Sequence, residues 1–326
     1  MIKSIFDLKI PDDYNLFTKG ISQSLLGSFQ NCRRKFLFEI NRFQSPDIER
    51  KTTYGTMVHD LLEKIYIAFY RNKISWEDLT KMTLINIENY KLPNLFNQND
   101  IELMKAKAQA MLEEYLIFYK TDFVNFKFEE IEKVFSVNFK GYILKGKIDG
   151  RIYDKNNGLW NIEHKNFSKI VDELPDLLTY DFQNLFYMVA NRCKEKYDIV
   201  GVKYNVLRNP DVRKTVNPEE VYNHLKDLIK KDPRYYFIRY EIPYSSDKVK
   251  NFSFELWNKL NDLQEIIDID DKKQQFFRLY KNEKACNSPY KCDFQQACST
   301  CNLVGYKQKD KLFNELESSK KAIKIQ

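Results

Sequence analysis

A carboxylate and an ammonium stand two residues apart at Glu163 and Lys165, in the stretch KGKIDGRIYDKNNGLWNIEHKN, and a second carboxylate, Asp149, precedes them. In an extended chain, side chains two apart leave the same face, so Glu163 and Lys165 share one space and His164 looks the other way. The turn signal Lys155-Asn156-Asn157-Gly158 predicts a hairpin that lays the strand bearing Asp149 beside the strand bearing Glu163. All three would then point into one cavity. Phosphodiester hydrolysis at neutral pH needs these groups. Carboxylates hold a hard divalent cation, the cation acidifies a water, and a positive group places that water and offsets developing negative charge. The x-K spacing alone is weak, because Glu49–Lys51 and Asp270–Lys272 repeat it. Ile148, Ile152, Trp160 and Ile162 single out this copy by burying its strands, and a buried carboxylate and lysine need a reason.

Three further side chains are placed to serve such a centre. His59 lies in YGTMVHDLLEKIY, a helix expected from Gly55 to Tyr70, with Gly55 permitting close approach at its start and Val58, Leu61, Leu62 and Ile65 docking it. Gln183 and Tyr187 are spaced i, i+4 on a helix expected over Thr179 to Lys196, where their polar tips would orient a phosphate or a water. Helices are also expected over 22–39, capped by Ser22 or Ser24, and over 76–90, 101–119, 218–230 with Asn217 as N-cap, and 248–269. Strands are expected over 134–139, 142–153, 159–165, 199–207 and 235–242. The chain thus divides into a helical N-terminal part (1–121), an α/β core (122–270) and a C-terminal cysteine segment with a charged tail (271–326).

The chain has 326 residues, a formal net charge of +7 and 43% hydrophobic residues, enough for a real core and mildly suited to a phosphate-bearing partner. Arg33-Arg34-Lys35 is one candidate phosphate contact. No apolar run approaches a membrane span, and the N-terminus lacks the pattern of a secretory signal, so a cytoplasmic location is expected. In a reducing compartment, clustered cysteines read as metal ligands before disulfides. Cys32 lies near the start, and Cys286, Cys292, Cys298 and Cys301 near the end; Cys193 reads as an ordinary thiol. Thiolates suit zinc and iron–sulfur clusters alike, and only Cys298–Cys301 has the close spacing of structural zinc.

Six segments in order resemble the RecB-type branch of the PD-(D/E)XK nuclease superfamily, more narrowly its phage-encoded and AddB-like iron–sulfur members. SQSLLGSFQNCRRKFLFEI is similar to the opening helix with the first cluster cysteine, Cys32. YGTMVHDLLE is similar to the G-x-x-x-H motif with His59, and GKIDGRI to the strand of the metal-binding Asp149. IEHKN is similar to the (D/E)-x-K strand with Glu163 and Lys165. QNLFY is similar to Q-x-x-x-Y with Gln183 and Tyr187, and KACNSPYKCDFQQAC to the cysteine lasso with Cys286, Cys292 and Cys298. The resemblance implies a restriction-endonuclease-like α/β fold, a mixed central sheet flanked by helices. It implies Mg²⁺ or Mn²⁺ held by Asp149, Glu163 and His59, with Lys165, Gln183 and Tyr187 completing the catalytic centre. It also implies a structural [4Fe–4S] cluster on Cys32, Cys286, Cys292 and Cys298, with zinc as the alternative and Cys301 as an extra thiol. The activity implied is a DNA exonuclease of recombination, repair or phage replication, in a bacterium or a phage-infected cell. No G-x-x-x-x-G-K-[ST] motif is present, so a helicase or single-strand-binding protein would be a separate partner. The rival reading is a catalytically silent nuclease fold that binds DNA or scaffolds a partner.

Overall fold

The computed structural model describes residues 4–45, 48–93, 95–193, 198–210, 217–287, 291–310 and 312. A mixed sheet forms its centre. Its long members are β3 (Phe126–Phe139), β4 (Tyr142–Asp154), β5 (Gly158–Phe167), β6 (Ile199–Arg208) and β7 (Phe237–Pro243), and the short β1 (Ile21–Ser22) completes it. The short β2 (Phe43–Gln44) and β8 (Lys307–Gln308) pair separately. Strand β4 is antiparallel to β3 and β5, β5 is parallel to β6, and β7 returns antiparallel. This is the α/β class expected. The hairpin turn falls at the anticipated residues, with Gly158 at φ +89°, where a side chain would be strained. Strand β3 begins well before Val134. Phe126, Phe128 and Ile131 alternate there with charged residues, a pattern that suits a sheet edge with one wet face.

The pairing of β4 creates the opening that matters. One edge of β4 pairs with β3 along nearly its whole length. The other edge pairs with β1 at Leu144 and Lys145, then with β5 only from Gly150 onward. Between these stretches, Gly146 to Asp149 have no described strand beside them on this second edge, and β5 continues past Ile162 paired to β6 alone. The sheet therefore parts where Asp149 and Glu163 stand.

Helices cover both faces. They are α1 (Gln23–Asn31), α2 (Arg33–Ile40), α3 (Ile48–Tyr66), α4 (Trp76–Glu88), α5 (Gln98–Phe118), α6 (Asp122–Asn125), α7 (Leu174–Thr179), α8 (Phe182–Cys193), α9 (Pro218–Lys231), α10 (Pro233–Tyr236), α11 (Ser246–Ile267), α12 (Lys272–Arg278) and α13 (Gln295–Thr300). One face packs Val202, Tyr204 and Val206 with Ile148, Phe186 of α8 and Leu256 and Leu260 of α11. The other packs Leu207 and Ile131 with Leu61 and Leu62 of α3 and Tyr115 of α5. The odd–even alternation of β6 feeds both cores, as a strand covered on two sides must.

Two local expectations need correction. The helix over 22–39 is broken at Cys32, which is extended at φ −158° and ψ 109°. Its N–H still bonds Ser28, so the first helix closes normally while the thiol turns toward the C-terminal segment, where the Asn282 N–H reaches Sγ at 3.4 Å. Ser22, not Ser24, is the cap. Gly55 lies inside α3 instead of at its start, and a Cβ built there would meet nothing within 4 Å. The helix carrying Gln183 is described only to Cys193; residues 194–197 and most of the charged tail lie outside the described residues.

Candidate active site

The ladder between β4 and β5 ends at Gly150–Ile162, which leaves the next backbone N–H, that of His164, without a strand partner from β4. The Asp149 carboxylate takes it: Oδ2 accepts from His164 N at 2.8 Å. A charge-assisted bond of this kind is worth about 1.5–3 kcal/mol, and it fixes Asp149 at the parting of the strands. Asp149 is turned toward α3, where His59 Nδ1 lies 3.6 Å from Oδ2. Burial, then the nearby Lys165 charge, pushes His59 down to about 4, so it is neutral and its contact with Asp149 is not an ion pair. Burial, then the Glu163 charge, pushes the Asp149 carboxyl well above the usual range, against the pull of the His164 N–H.

Glu163 and Lys165 meet the start of α8. They form a closed triangle with Gln183. Lys165 Nζ stands 2.9 Å from Glu163 Oε1 and donates to Gln183 Oε1 at 2.7 Å, while Gln183 Nε2 donates to Glu163 Oε1 at 2.7 Å. Burial raises the Glu163 carboxyl in spite of Lys165. Burial opposes the Lys165 charge, but Glu163 and Asp181 outweigh it and hold the ammonium protonated above its ordinary range. Lys165 is therefore a fixed positive charge rather than a base. The Glu163 and Lys165 charges both act on Asp149, and Lys165 acts on His59 as well, so these groups share one neighbourhood where the strands part.

Asp181 is the residue that the sequence reading missed. It caps α8, accepting from Gln183 N at 2.9 Å, and lies 3.6 Å from Lys165. Tyr204 and Asn184 also donate to it, at 3.2 and 3.3 Å. An Asp immediately before an apolar helical repeat is a cap signal, and it stands two residues before Gln183. One carboxylate thus starts the helix and anchors the lysine. Tyr187, one turn further, is buried with its ring edge-on to Phe135 at 5.4 Å. Gly146 makes room for both rings: a Cβ there would come within 2.6 Å of Phe135 and 2.8 Å of Tyr187.

A second rung lies outward on the α3 side. Lys147, two before Asp149, pairs with Glu132 of β3 and stands 3.9 Å from Glu63, one turn after His59. Glu132 holds a left-handed backbone at φ +49°, strained for a side chain of its size. Behind β5, His164 stacks on Tyr66 at 5.4 Å and its Nδ1 lies 3.4 Å from Asn205 Nδ2. Arg239 holds Asn205 at 2.7 Å and is itself paired with Asp122 at 2.6 Å. His164 is kept neutral by burial, as a back wall for the strand.

Both proposed metal groups can be tested against these residues. Asp149 and Glu163 are buried acids raised by desolvation, with one fixed cation between them and Asp181; such a donor set favours a hard divalent ion. At the other site, the Cys298 thiol is pushed up to about 11 by burial and by Cys32, with Cys292 and Cys286 also contributing. Cys292 is raised by burial and by Cys32 and Cys286. These four thiols lie within electrostatic reach of one another, and Arg34 lies within reach of Cys298, Cys32 and Cys301. Crowded thiols of this kind suit a metal that takes them as thiolates. Among the described residues, no three His, Cys, Asp or Glu side chains close on one point as a bound metal's ligands do. Cys193, on α8, is raised by burial alone.

The basic run is a correction. Arg33 pairs with Asp262 at 2.5 Å, Arg34 donates to the carbonyls of Leu279 and Phe276 at 2.7 and 3.3 Å, and Lys35 stands 3.7 Å from Glu39. Beyond the helix break at Cys32, Arg33 and Arg34 reach α11, α12 and the residue after it and tie the ends of the chain together, while Lys35 stays on its own helix. Among the described residues, no helix is long and apolar enough to cross a membrane. A family model described as the PD-(D/E)XK nuclease superfamily matches residues 20–299. No curated protein sequence matches the chain.

Proposed function

Because the chain belongs to the PD-(D/E)XK nuclease superfamily, we propose that it is a metal-dependent deoxyribonuclease whose centre is Asp149, Glu163 and Lys165. The observation that carries this reading is the closed triangle of Glu163, Lys165 and Gln183 beside Asp149, where β4 and β5 part. Asp149, Glu163 and neutral His59 would hold Mg²⁺ or Mn²⁺. When bound, that ion acidifies a water and stabilises charge on the phosphate. Lys165, held protonated by Glu163 and Asp181, offsets negative charge that builds on the phosphate and helps position and activate the water. Gln183 holds Lys165 and Glu163 in register, and Tyr187 seats α8 against the sheet. Asp181 anchors the lysine from behind.

The finer reading is an exonuclease of recombination, repair or phage replication in the cytoplasm, working beside a separate helicase or single-strand-binding protein. It rests on the order of motifs shared with RecB- and AddB-like nucleases. A [4Fe–4S] cluster on Cys32, Cys286, Cys292 and Cys298 would staple the break between α1 and α2 to the segment after α12. The mutual influence of these four thiols supports that set, and zinc is the alternative occupant. The three parts, 1–121, 122–270 and 271–326, would act as one integrated domain.

Incubation of linear and covalently closed DNA with the protein and Mn²⁺ tests the function. Loss of linear DNA with closed circles spared supports the exonuclease. Nicking of circles makes it an endonuclease, and no cleavage of either leaves the silent DNA-binding fold.

A further inference from the structure

A cavity of about 620 Å³ lies between the α1–α2 break, α11 and the segment that follows α12. Its volume is that of a small-ligand site, too small for a duplex. Its lining combines two chemistries. One is aromatic: Tyr280 is 56% exposed and its ring stands at 5.2 Å from the Arg33 guanidinium, which in turn lies 4.9 Å from the buried Phe29 ring. This pile is fixed, because Arg33 pairs with Asp262 and the Tyr280 carbonyl accepts from Arg34 N at 3.1 Å. The other is cationic: Lys259, Lys281 and Lys284 line the cavity, with Lys281 standing 3.3 Å from Glu283 and Lys259 3.7 Å from Glu255, solvated pairs of the weak kind that a phosphate can displace.

Lys259 also links the cavity wall to α8. Lys259 Nζ lies 5.4 Å from the Phe182 ring, and Phe182 immediately precedes Gln183, which holds both Lys165 and Glu163. A ring fixed on one side with lysines beyond it makes a set that recognises a base face and phosphates without reading base edges.

We propose that this cavity binds single-stranded DNA, with one base stacked on Tyr280 and flanking phosphates met by Lys259, Lys281 and Lys284. The proposal rests on the nuclease reading and names the form of DNA that the protein holds. A base placed on the exposed ring extends a pile that is already ordered, so little freedom is lost on binding. The lysines are long and partly solvated, so they track phosphates of any sequence.

The test is fluorescence anisotropy of a labelled oligothymidylate and of a hairpin duplex, in chelator so that no cleavage occurs. Tyr280→Ala should weaken oligothymidylate binding about ten-fold, the lower part of the range for one stacked base. Tyr280→Phe should stay within about two-fold of wild type. Lys281→Ala with Lys284→Ala should reduce the slope of log affinity against log salt by roughly 1.4, about 0.7 for each phosphate contact. Duplex binding should be unmoved by the tyrosine change. Unchanged oligothymidylate affinity in a folded Tyr280→Ala protein overturns the proposal, as does an equal loss for strand and duplex. A parallel cleavage assay of wild type with Mn²⁺ judges the nuclease reading separately, since binding in chelator needs no catalysis.

Discussion

Replacing Lys165 by methionine keeps the length of the side chain and removes its charge. The ammonium lies 2.9 Å from Glu163 and 3.6 Å from Asp181. At an effective dielectric of 20 these separations correspond to attractions of about 6 and about 5 kcal/mol. Desolvation of the lysine cancels much of that. Removing one partner of a buried pair costs about 3–5 kcal/mol. The lower end applies here, because the Lys165 side chain is 22% exposed and Gln183 still donates to Glu163. Lys165→Met should therefore cost about 3 kcal/mol and lower Tm by roughly 5 °C or more. Hydrolysis should fall by at least about 10²-fold, the loss typical of one electrostatic stabiliser. The double change Lys165→Met/Glu163→Gln separates the two effects. It should recover much of the stability, because no unpaired carboxylate remains at position 163, while cleavage stays lost. Thermal melts by circular dichroism and release of labelled nucleotide read the two arms. Wild-type cleavage by purified Lys165→Met, or a double variant no more stable than the single, would refute the reasoning.

Other consequences are independent of that cycle. Gly146→Ala should destabilise by about 1–3 kcal/mol through overpacking, since the new Cβ would stand 2.6 Å from Phe135 and 2.8 Å from Tyr187, and a thermal melt checks it. Cys32→Ser, Cys286→Ser, Cys292→Ser and Cys298→Ser should each lose bound iron and brown colour in oxygen-free preparations, whereas Cys301→Ser and Cys193→Ser keep both; iron and sulfide analysis decides. Burial works to raise the Glu113 carboxyl, but Lys226, Gln109 and Tyr222 outweigh it and hold it below its ordinary value. Its contribution is thus present above the unfolded pKa of about 4.3 and fades as pH falls through the lower folded value. Glu113→Gln should cost about 1 kcal/mol at pH 7 and almost nothing near pH 3, measured by denaturant titration at each pH.

Strand periodicity and turn chemistry made the centre's scaffold legible. The alternation around Glu163 and Lys165 put them on one face and His164 on the other, and the Asn-Asn-Gly turn aligned β4 with β5. Asn217 and Ser22 cap the helices they were expected to cap. What escaped depends on chain segments far apart. Nothing local to Cys32 requires extended backbone; the C-terminal segment that meets its thiol selects it. Arg33 and Arg34 read as a candidate phosphate contact because their partners, Asp262 and the carbonyls of Phe276 and Leu279, are remote in sequence. The parting of β4 from β5 depends on a two-residue strand, β1, too short to carry a period. Asp181 was legible as a cap, but its contact with Lys165 needed the fold.

The central claim is that Asp149 and Glu163 hold a divalent ion with which the protein hydrolyses DNA. Its most direct measurement is release of nucleotides from end-labelled DNA by wild type and by Asp149→Ala, prepared identically, in Mn²⁺ and in chelator. The account predicts cleavage by wild type in Mn²⁺ alone, with Asp149→Ala folded and at least about 10²-fold slower. Equal cleavage by both proteins, or cleavage that persists in chelator, contradicts it.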